Sequence, residues 1–249
     1  GIVYGTMLTT SSNPRWSAPM AKFGLDYVVI DTEHSPRSRT DIADFLAAFN
    51  TTNVAPIVRI PIPASHYVTM ALDAGAQGVS APYCETVEEV KEVVGATKWR
   101  PLKGSLVKKI VATGEFPSDA TRRYLENLNK NAVCIIGIES TPAIENLDGI
   151  LEINGVDAIF VGPSDLTISL GIPHQYEHRK YEESLHHIID VCNAHNVPVM
   201  FHHQTLELTI KWLREGVRFV LYSTDAREMH NAIQSDFSAI REVGDELRK

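Results

Sequence analysis

Eight short runs rich in β-branched and aromatic residues recur along this chain, with longer amphipathic stretches between most of them. The runs are IVYGTML, DYVVID, VAPIVRI, QGVSAP, AVCIIGIE, AIFVG, VPVMF and RFVLYS. They are near-continuous apolar stretches bounded by turn residues, which is how a strand buried on both faces reads. Between them, TDIADFLAAFN, SHYVTMALDAG, TVEEVKEVVGAT, YEESLHHIIDVCNAH, LELTIKWLREG and DAREMHNAIQSDFSAIREV place apolar residues at helical spacing. A strand that returns to its sheet through a helix runs parallel to the strand before it. Eight such units in 249 residues fit one α/β domain over residues 1–249, a TIM (β/α)8 barrel, better than an open doubly wound sheet. Ala74-Gly75 and Glu215-Gly216 read as helix ends closed by a glycine. Only Trp99 to Asn131 breaks the rhythm, as a Pro- and Lys-containing loop followed by a polar helix. That excursion is expected over the functional face or at a subunit contact.

Composition narrows the partners. The net charge of −8 leaves no basic footprint for nucleic acid or anionic lipid. No apolar run approaches the roughly 18 residues that span a bilayer. Cys84, Cys134 and Cys192 are few, odd in number and without metal-ligand spacing, which points to a reducing, cytoplasmic setting. The sequence starts at Gly1 and moves almost at once into a strand, so N-terminal residues are expected to be missing and the lack of a targeting segment carries little weight.

In such a barrel the strand C-termini converge on one face, and chemistry is sited there. No lysine lies in the eight runs, and none occurs between Asn131 and Arg179, which disfavours a Schiff-base mechanism. The last two strand ends read FHHQT and YSTDA, without the glycines that let backbone approach a phosphate, so a phosphosugar is disfavoured too. What the ends do carry is acidic. The second strand runs into Asp31, Glu33 and His34, the third ends on Arg59, the fifth delivers Glu139 and the sixth Asp165.

Glu139 and Asp165 supply two hard oxygen ligands suited to Mg2+ or Mn2+. Their plainer reading is as helix starts, at Ser140-Thr141-Pro142 and at SDLTISLG. The N–H groups of Ser164 and Asp165, in the turn Gly162-Pro163-Ser164-Asp165, are placed to hold a carboxylate beside such a cation. His34 with Asp31 three residues before it reads as an oriented base, or else as a solvated loop histidine behind a turn-capping acid. Arg59 needs an anionic or carbonyl partner at the mouth, or else forms a structural ion pair with those acids. Of His202-His203, one ring should face the mouth and the other the helices. His186-His187, Cys84, Trp16, Trp99 and Trp212 read as surface, inert or packing residues.

The segments VVIDTEHSP, VRIP, ALDAGAQGVSAPYCETVEE, IGIES, ENLDGIL and GVDAIFVGPSDLTISLG resemble the HpcH/HpaI family of metal-dependent, pyruvate-using aldolases. The resemblance runs in unbroken order from Gly5 to YSTDA, and IDxEH together with GVDAIFVGPSDLxxSLG is specific to it. It implies a barrel of the phosphoenolpyruvate/pyruvate type that makes or cleaves 4-hydroxy-2-oxo acids from pyruvate and an aldehyde. It further implies a Mg2+, Mn2+ or Co2+ ion on Glu139 and Asp165, and His34 backed by Asp31 as acid–base element. Arg59 would polarise the 2-oxo group, and Gly162, Pro163, Ser164 and Asp165 would form the pyruvate-carboxylate turn. Relatives assemble as hexamers through exchanged C-terminal helices, so a homo-oligomer is expected. The chain departs from the pattern at Leu106 (an arginine in relatives), Gly137 (a glutamine) and Met7 (a tryptophan). Two rivals remain: a citrate-lyase-β-like cleaver of CoA thioesters, for which only the Lys103–Lys109 region is basic, and a catalytically silent metal-binding homologue.

Overall fold

A computed structural model describes residues 1–248. All eight expected strands form: β1 Val3–Leu8, β2 Tyr27–Asp31, β3 Ala55–Arg59, β4 Gly78–Ala81, β5 Val133–Gly137, β6 Ala158–Val161, β7 Val199–His203 and β8 Phe219–Thr224. They pair in chain order, every neighbour parallel, and β8 returns to β1 to close the barrel.

The runs are continuously apolar because each strand has two buried faces. Met7, Tyr27, Val29, Ile57, Ile135, Phe160, Met200 and Leu221 pack inside the barrel, while Leu8, Val28, Ile30, Val58, Val79, Ile136, Ile159 and Phe201 pack outward into the helix layer. Side chains alternate along a strand. Two residues beyond each inner position therefore fall on the axis side again, now at the C-terminal end. That parity brings Asp31, Arg59, Gly137, Gly162 and His202 to one mouth, and Glu139 two residues beyond Gly137. Register does the rest, with Asp31 directly opposite Arg59.

The other end of the barrel is plugged. The Tyr27 ring lies so close to Gly5 that a Cβ there would sit 2.3 Å from Tyr27 Cζ, and the Tyr27 hydroxyl donates to the Val220 carbonyl at 2.7 Å. Residue 5 must therefore be glycine.

Outside, the helices start on side-chain caps that satisfy N–H groups left without intrahelical partners. Ser38 with Asp41 and Thr86 with Glu89 form reciprocal capping boxes. Helix Arg39–Phe49 buries Ile42, Phe45, Leu46 and Phe49, the stripe that its sequence spacing calls for. Gly75 (φ +106°) and Gly216 (φ +105°) end their helices in conformations that glycine alone takes readily, as the sequence indicated.

The segment Trp99–Asn131 differs from expectation. Where a loop was expected after Arg100-Pro101, Gly104–Thr113 is a helix; the polar helix expected after it forms at Asp119–Asn129. Val107, Ile110 and Val111 make the first one amphipathic; Ile110 is buried, and Val107 and Val111 lie against Gly95 on helix Val87–Lys98. Pro101 and the lysines mask this short apolar face in the sequence.

The last helix, Asp225–Glu246, buries none of its residues. Met229, Ile233, Phe237, Ile240 and Val243 form an apolar stripe, each more than half exposed, and Ile2, Val3 and Tyr4 at the start of β1 are exposed as well. Among the described residues no helix is long and apolar enough to cross a membrane.

Candidate active site

Asp31 is the organising carboxylate of the mouth. It is fully buried and accepts from Arg59 Nε at 2.8 Å, from the N–H of Glu33 at 3.1 Å, from the N–H of His34 at 3.3 Å and from Ser35 Oγ at 3.1 Å. Burial alone would raise its pKa, but the Arg59 hydrogen bond and charge, with the other donors, outweigh burial and hold it below the ordinary carboxylate value. Arg59 reaches a second acid with Nη1, which lies 3.2 Å from Glu33 Oε2. One guanidinium thus holds two carboxylates in a fixed fork, a geometry lysine cannot reproduce.

His34 stands differently from the sequence expectation. Asp31 meets its main chain, not its ring; the imidazole Nε2 lies 3.6 Å from Glu33 Oε2 instead, and the side chain is 65% exposed. The reason is local. Asp31 still points to the barrel axis at the strand end, whereas the chain turns outward over Thr32–His34, carrying the ring to the rim. Glu33, given no role from the sequence, is therefore the group between Arg59 and His34. Burial, with the charges of Asp31 and Asp165, pushes its pKa up against the pull of Arg59 and His34.

Glu139 lies two residues beyond the end of β5 and is almost wholly buried. Its Oε2 accepts from the Tyr83 N–H at 3.1 Å. Its Oε1 faces Gly162 so closely that a Cβ on that residue would come within 2.5 Å. Burial, then the negative charges of Glu33 and Asp165, push the carboxyl up to about 8 despite Arg59. Glu139 is not a helix cap: Ser140 caps helix Thr141–Glu145 and also donates to Glu85 at 2.6 Å. Asp165 sits in the first turn of helix Pro163–Ser169, exposed at the mouth. No side chain caps that helix, and its first backbone bond runs from the Leu166 N–H to the Gly162 carbonyl. The N–H groups of Ser164 and Asp165 precede that bond and remain open to a bound anion.

The remaining candidates separate cleanly. His202 faces inward, its Nε2 donating to the Ser223 carbonyl (3.1 Å), and burial with Arg59 lowers its pKa to about 4, so it is neutral at pH 7. His203 faces outward and stacks on Trp212, with a ring separation of 6.5 Å. Cys84, Cys134 and Cys192 are buried free thiols whose pKa values burial raises, which makes them poor nucleophiles. Met7 is buried inside the barrel, and Leu106 stands on the outer helix Gly104–Thr113. Two further residues tie the rim and gave no sequence signal. Asp225 accepts from the N–H groups of Thr9 (2.8 Å), Thr10 (3.2 Å) and Ser11 (2.6 Å), and Arg37 donates to the carbonyls of Leu8 and Asp31, both at 3.1 Å.

Among the described residues no three His, Cys, Asp or Glu side chains converge as a complete cage. Of the mouth's carboxylates, Asp31 and Glu33 are paired with Arg59, which leaves Glu139, buried and held, and Asp165, exposed. That set suits a hard divalent cation that keeps water or substrate oxygens in its other positions, and not a closed structural zinc site.

Fold and site together define a (β/α)8-barrel enzyme whose acidic mouth is built around one buried arginine. The sequence profile of HpcH/HpaI aldolase/citrate lyase matches residues 6–232, and the chain belongs to that family. It is 31% identical over 225 residues to the 5-keto-4-deoxy-D-glucarate aldolase of Shigella sonnei (strain Ss046), covering 90% of this chain and 86% of that one. It is 29% identical over 241 residues to the 2-keto-3-deoxy-L-rhamnonate aldolase of Salmonella gallinarum (strain 287/91 / NCTC 13346), covering 95% and 88%. The crystal structure of an HpcH/HpaI aldolase from Desulfitobacterium hafniense DCB-2 superposes with a TM-score of 0.84 at 28% identity, covering 97% of this chain and 93% of that one.

Proposed function

We propose that this chain is a divalent-cation-dependent aldolase that cleaves or forms 4-hydroxy-2-oxo acids, with pyruvate as the enolate component and an aldehyde as its partner. The observation that carries the reading is Glu139: a buried carboxylate, held by one backbone N–H, beside Asp165 and within the field of Arg59. The keto-deoxy acids in the names of the two curated relatives are 2-oxo acids or their close kin, which supports this substrate class.

Glu139 and Asp165 would hold the cation, Mg2+, Mn2+ or Co2+. When bound, the cation supplies a Lewis acid that stabilises negative charge on the 2-oxo oxygen. The other roles fall to the chain itself. Arg59, fixed by Asp31 and Glu33, presents a pre-oriented positive charge to that oxygen, so no reorganisation is needed as the enolate develops. The open N–H groups of Ser164 and Asp165, in the turn Gly162-Pro163-Ser164-Asp165, hold the pyruvate carboxylate. His34, at the rim and steered by Glu33, takes the 4-hydroxyl proton during cleavage and returns it during condensation, through a water. Asp31 acts on both: it fixes Arg59 and the main chain of the turn that carries His34.

The assembly follows from the last helix. Its apolar stripe lacks cover, and so does the start of β1, so we infer a homo-oligomer in which this helix exchanges between subunits, a hexamer by family pattern. The three free buried thiols fit a reducing cytoplasm.

A coupled pyruvate assay with 4-hydroxy-2-oxo acids, run with and without EDTA, tests the reading. Activity that survives both EDTA and Glu139→Gln sinks it.

A further inference from the structure

The strand ladder of the barrel ends before the mouth does. Between β1 and β2 the last paired residues are Leu8 and Ile30; between β8 and β1 they are Thr224 and Met7, past a shift of register after Gly5. Beyond these pairs side chains carry the seam. Arg37 donates from Nε to the Asp31 carbonyl and from Nη2 to the Leu8 carbonyl, both at 3.1 Å, and so spans the ends of β1 and β2. Ser35 Oγ lies 2.7 Å from the Thr9 carbonyl and 3.1 Å from Asp31 Oδ2, its one proton shared between two acceptors. On the other flank Asp225 takes the N–H groups of Thr9, Thr10 and Ser11 and, at 3.0 Å, the Thr9 hydroxyl.

The last helix does not need this carboxylate as its cap. Thr224 holds that place, its hydroxyl accepting from the Arg227 N–H at 3.2 Å. Apart from the adjoining N–H of Ala226 (2.9 Å), the hydrogen-bond partners of Asp225 lie in the turn Thr9–Ser11. A charged acceptor that gathers successive main-chain donors makes stronger bonds than a neutral one, and it fixes the turn that supplies them. From Asp225 the contacts then run unbroken: to Thr9, from the Thr9 carbonyl to Ser35, from Ser35 to Asp31, and from Asp31 to Arg59 Nε at 2.8 Å. The path ends on the guanidinium at the centre of the mouth. Glu139 and Asp165, beyond β5 and β6 across the barrel, take no part in it.

We propose that Asp225 is a positioning residue for the Asp31–Arg59 pair. It fixes the turn after β1, the Thr9 carbonyl then holds Ser35, and Ser35 with Arg37 sets the end of β2. From there Asp31 orients Arg59 and the main chain that carries His34. The proposal rests on the aldolase reading above. It separates two functions of the mouth: the orientation of Arg59 depends on the seam of β8, β1 and β2, whereas cation binding depends on the opposite side.

Exchange of the pyruvate methyl protons in D2O, followed by NMR at saturating Mn2+ and pyruvate, tests this in the native chain, in Asp225→Ala and in Asp225→Asn. The limiting rate should fall about tenfold or more in Asp225→Ala, the cost of a small misplacement of a group that acts on the substrate. Asp225→Asn keeps one acceptor oxygen and should lie between the two. Mn2+ affinity, by calorimetry, should stay within about twofold, as for an independent site; damage to the whole barrel would move both. A rate that matches the native one, or an affinity that falls along with the rate, overturns the positioning role. Should Asp225→Ala not fold, Ser35→Ala removes only the bridge between Thr9 and Asp31. It should slow exchange about fivefold, the loss of one hydrogen bond, and an unchanged rate overturns the proposal equally. No exchange by the native chain overturns the aldolase reading and this inference with it, whereas native exchange that the substitutions leave intact overturns the inference alone.

Discussion

Arg59 answers to two carboxylates, so its removal has two separable effects. Arg59→Met leaves the charge of buried Asp31 without its partner, a loss of about 3–5 kcal/mol by the general cost of breaking a buried pair. On the proposed function it also removes the charge that would face the developing enolate, so turnover should fall at least about a hundredfold. Arg59→Lys restores a positive charge but not the fork between Asp31 and Glu33, so it should recover stability more than rate. Urea denaturation alongside the pyruvate assay distinguishes them. Glu139 makes a pH prediction. Its carboxyl, raised to about 8 in the cation-free chain, must lose its proton before a cation can bind. Cation affinity should therefore weaken as pH falls below about 8, by up to about tenfold per unit, with a proton released on binding. Calorimetric titration with Mn2+ in two buffers of different ionisation enthalpy counts that proton. The stability of the cation-free chain runs the other way. A carboxyl raised from 4.5 favours the fold fully below about 4.5 and loses that contribution as pH rises through about 8. Thermal melts with EDTA at pH 5.5 and 8.5 check the sign.

Among the elements, the close approach of β5 and β6 depends on glycine. Gly162→Ala would drive a methyl to 2.5 Å from Glu139 Oε1, and Cβ atoms do not tolerate that distance. Either the carboxylate or the Gly162-Pro163 turn must shift. We expect a barrel of unchanged circular dichroism whose Mn2+ affinity, measured by calorimetry, drops at least about tenfold. This scale also shows what could be read from sequence. The strands were legible because burial on both faces makes each a continuous apolar run, and parity along them aimed Asp31, Arg59 and Glu139 inward. The helix Gly104–Thr113 was not, because its apolar face is short and interrupted by lysines. Nor was the pairing of Glu33, in place of Asp31, with the His34 ring, which depends on where the chain turns off the strand. Asp225 was silent for a related reason: its bonds reach the turn after β1, and Thr9 is 216 positions away.

For the whole molecule, the last helix is the unfinished part. A stripe from Met229 through Ile233, Phe237 and Ile240 to Val243 has the spacing of a packed helix and no packing. Placing charges in it, as in Ile233→Asp with Phe237→Asp, should lower the sedimentation mass toward the 27.6 kDa of one chain while the barrel keeps its circular dichroism. A mass unaffected by the pair of substitutions would locate the subunit contact elsewhere.

The plugged end of the barrel sets an order on the chemistry. With Tyr27 seated over Gly5 and the interior filled by Met7, Ile57, Phe160 and Met200, reactants have one way in and the same way out. On the proposed aldolase reading, the component that uses buried Arg59 and Glu139 sits below the one that meets His34 at the rim. Two tenants of a blind corridor cannot pass each other. In condensation pyruvate should bind first and the aldehyde second; in cleavage the aldehyde should depart before pyruvate. Product-inhibition patterns would show pyruvate competitive with the 4-hydroxy-2-oxo acid and the aldehyde noncompetitive with it.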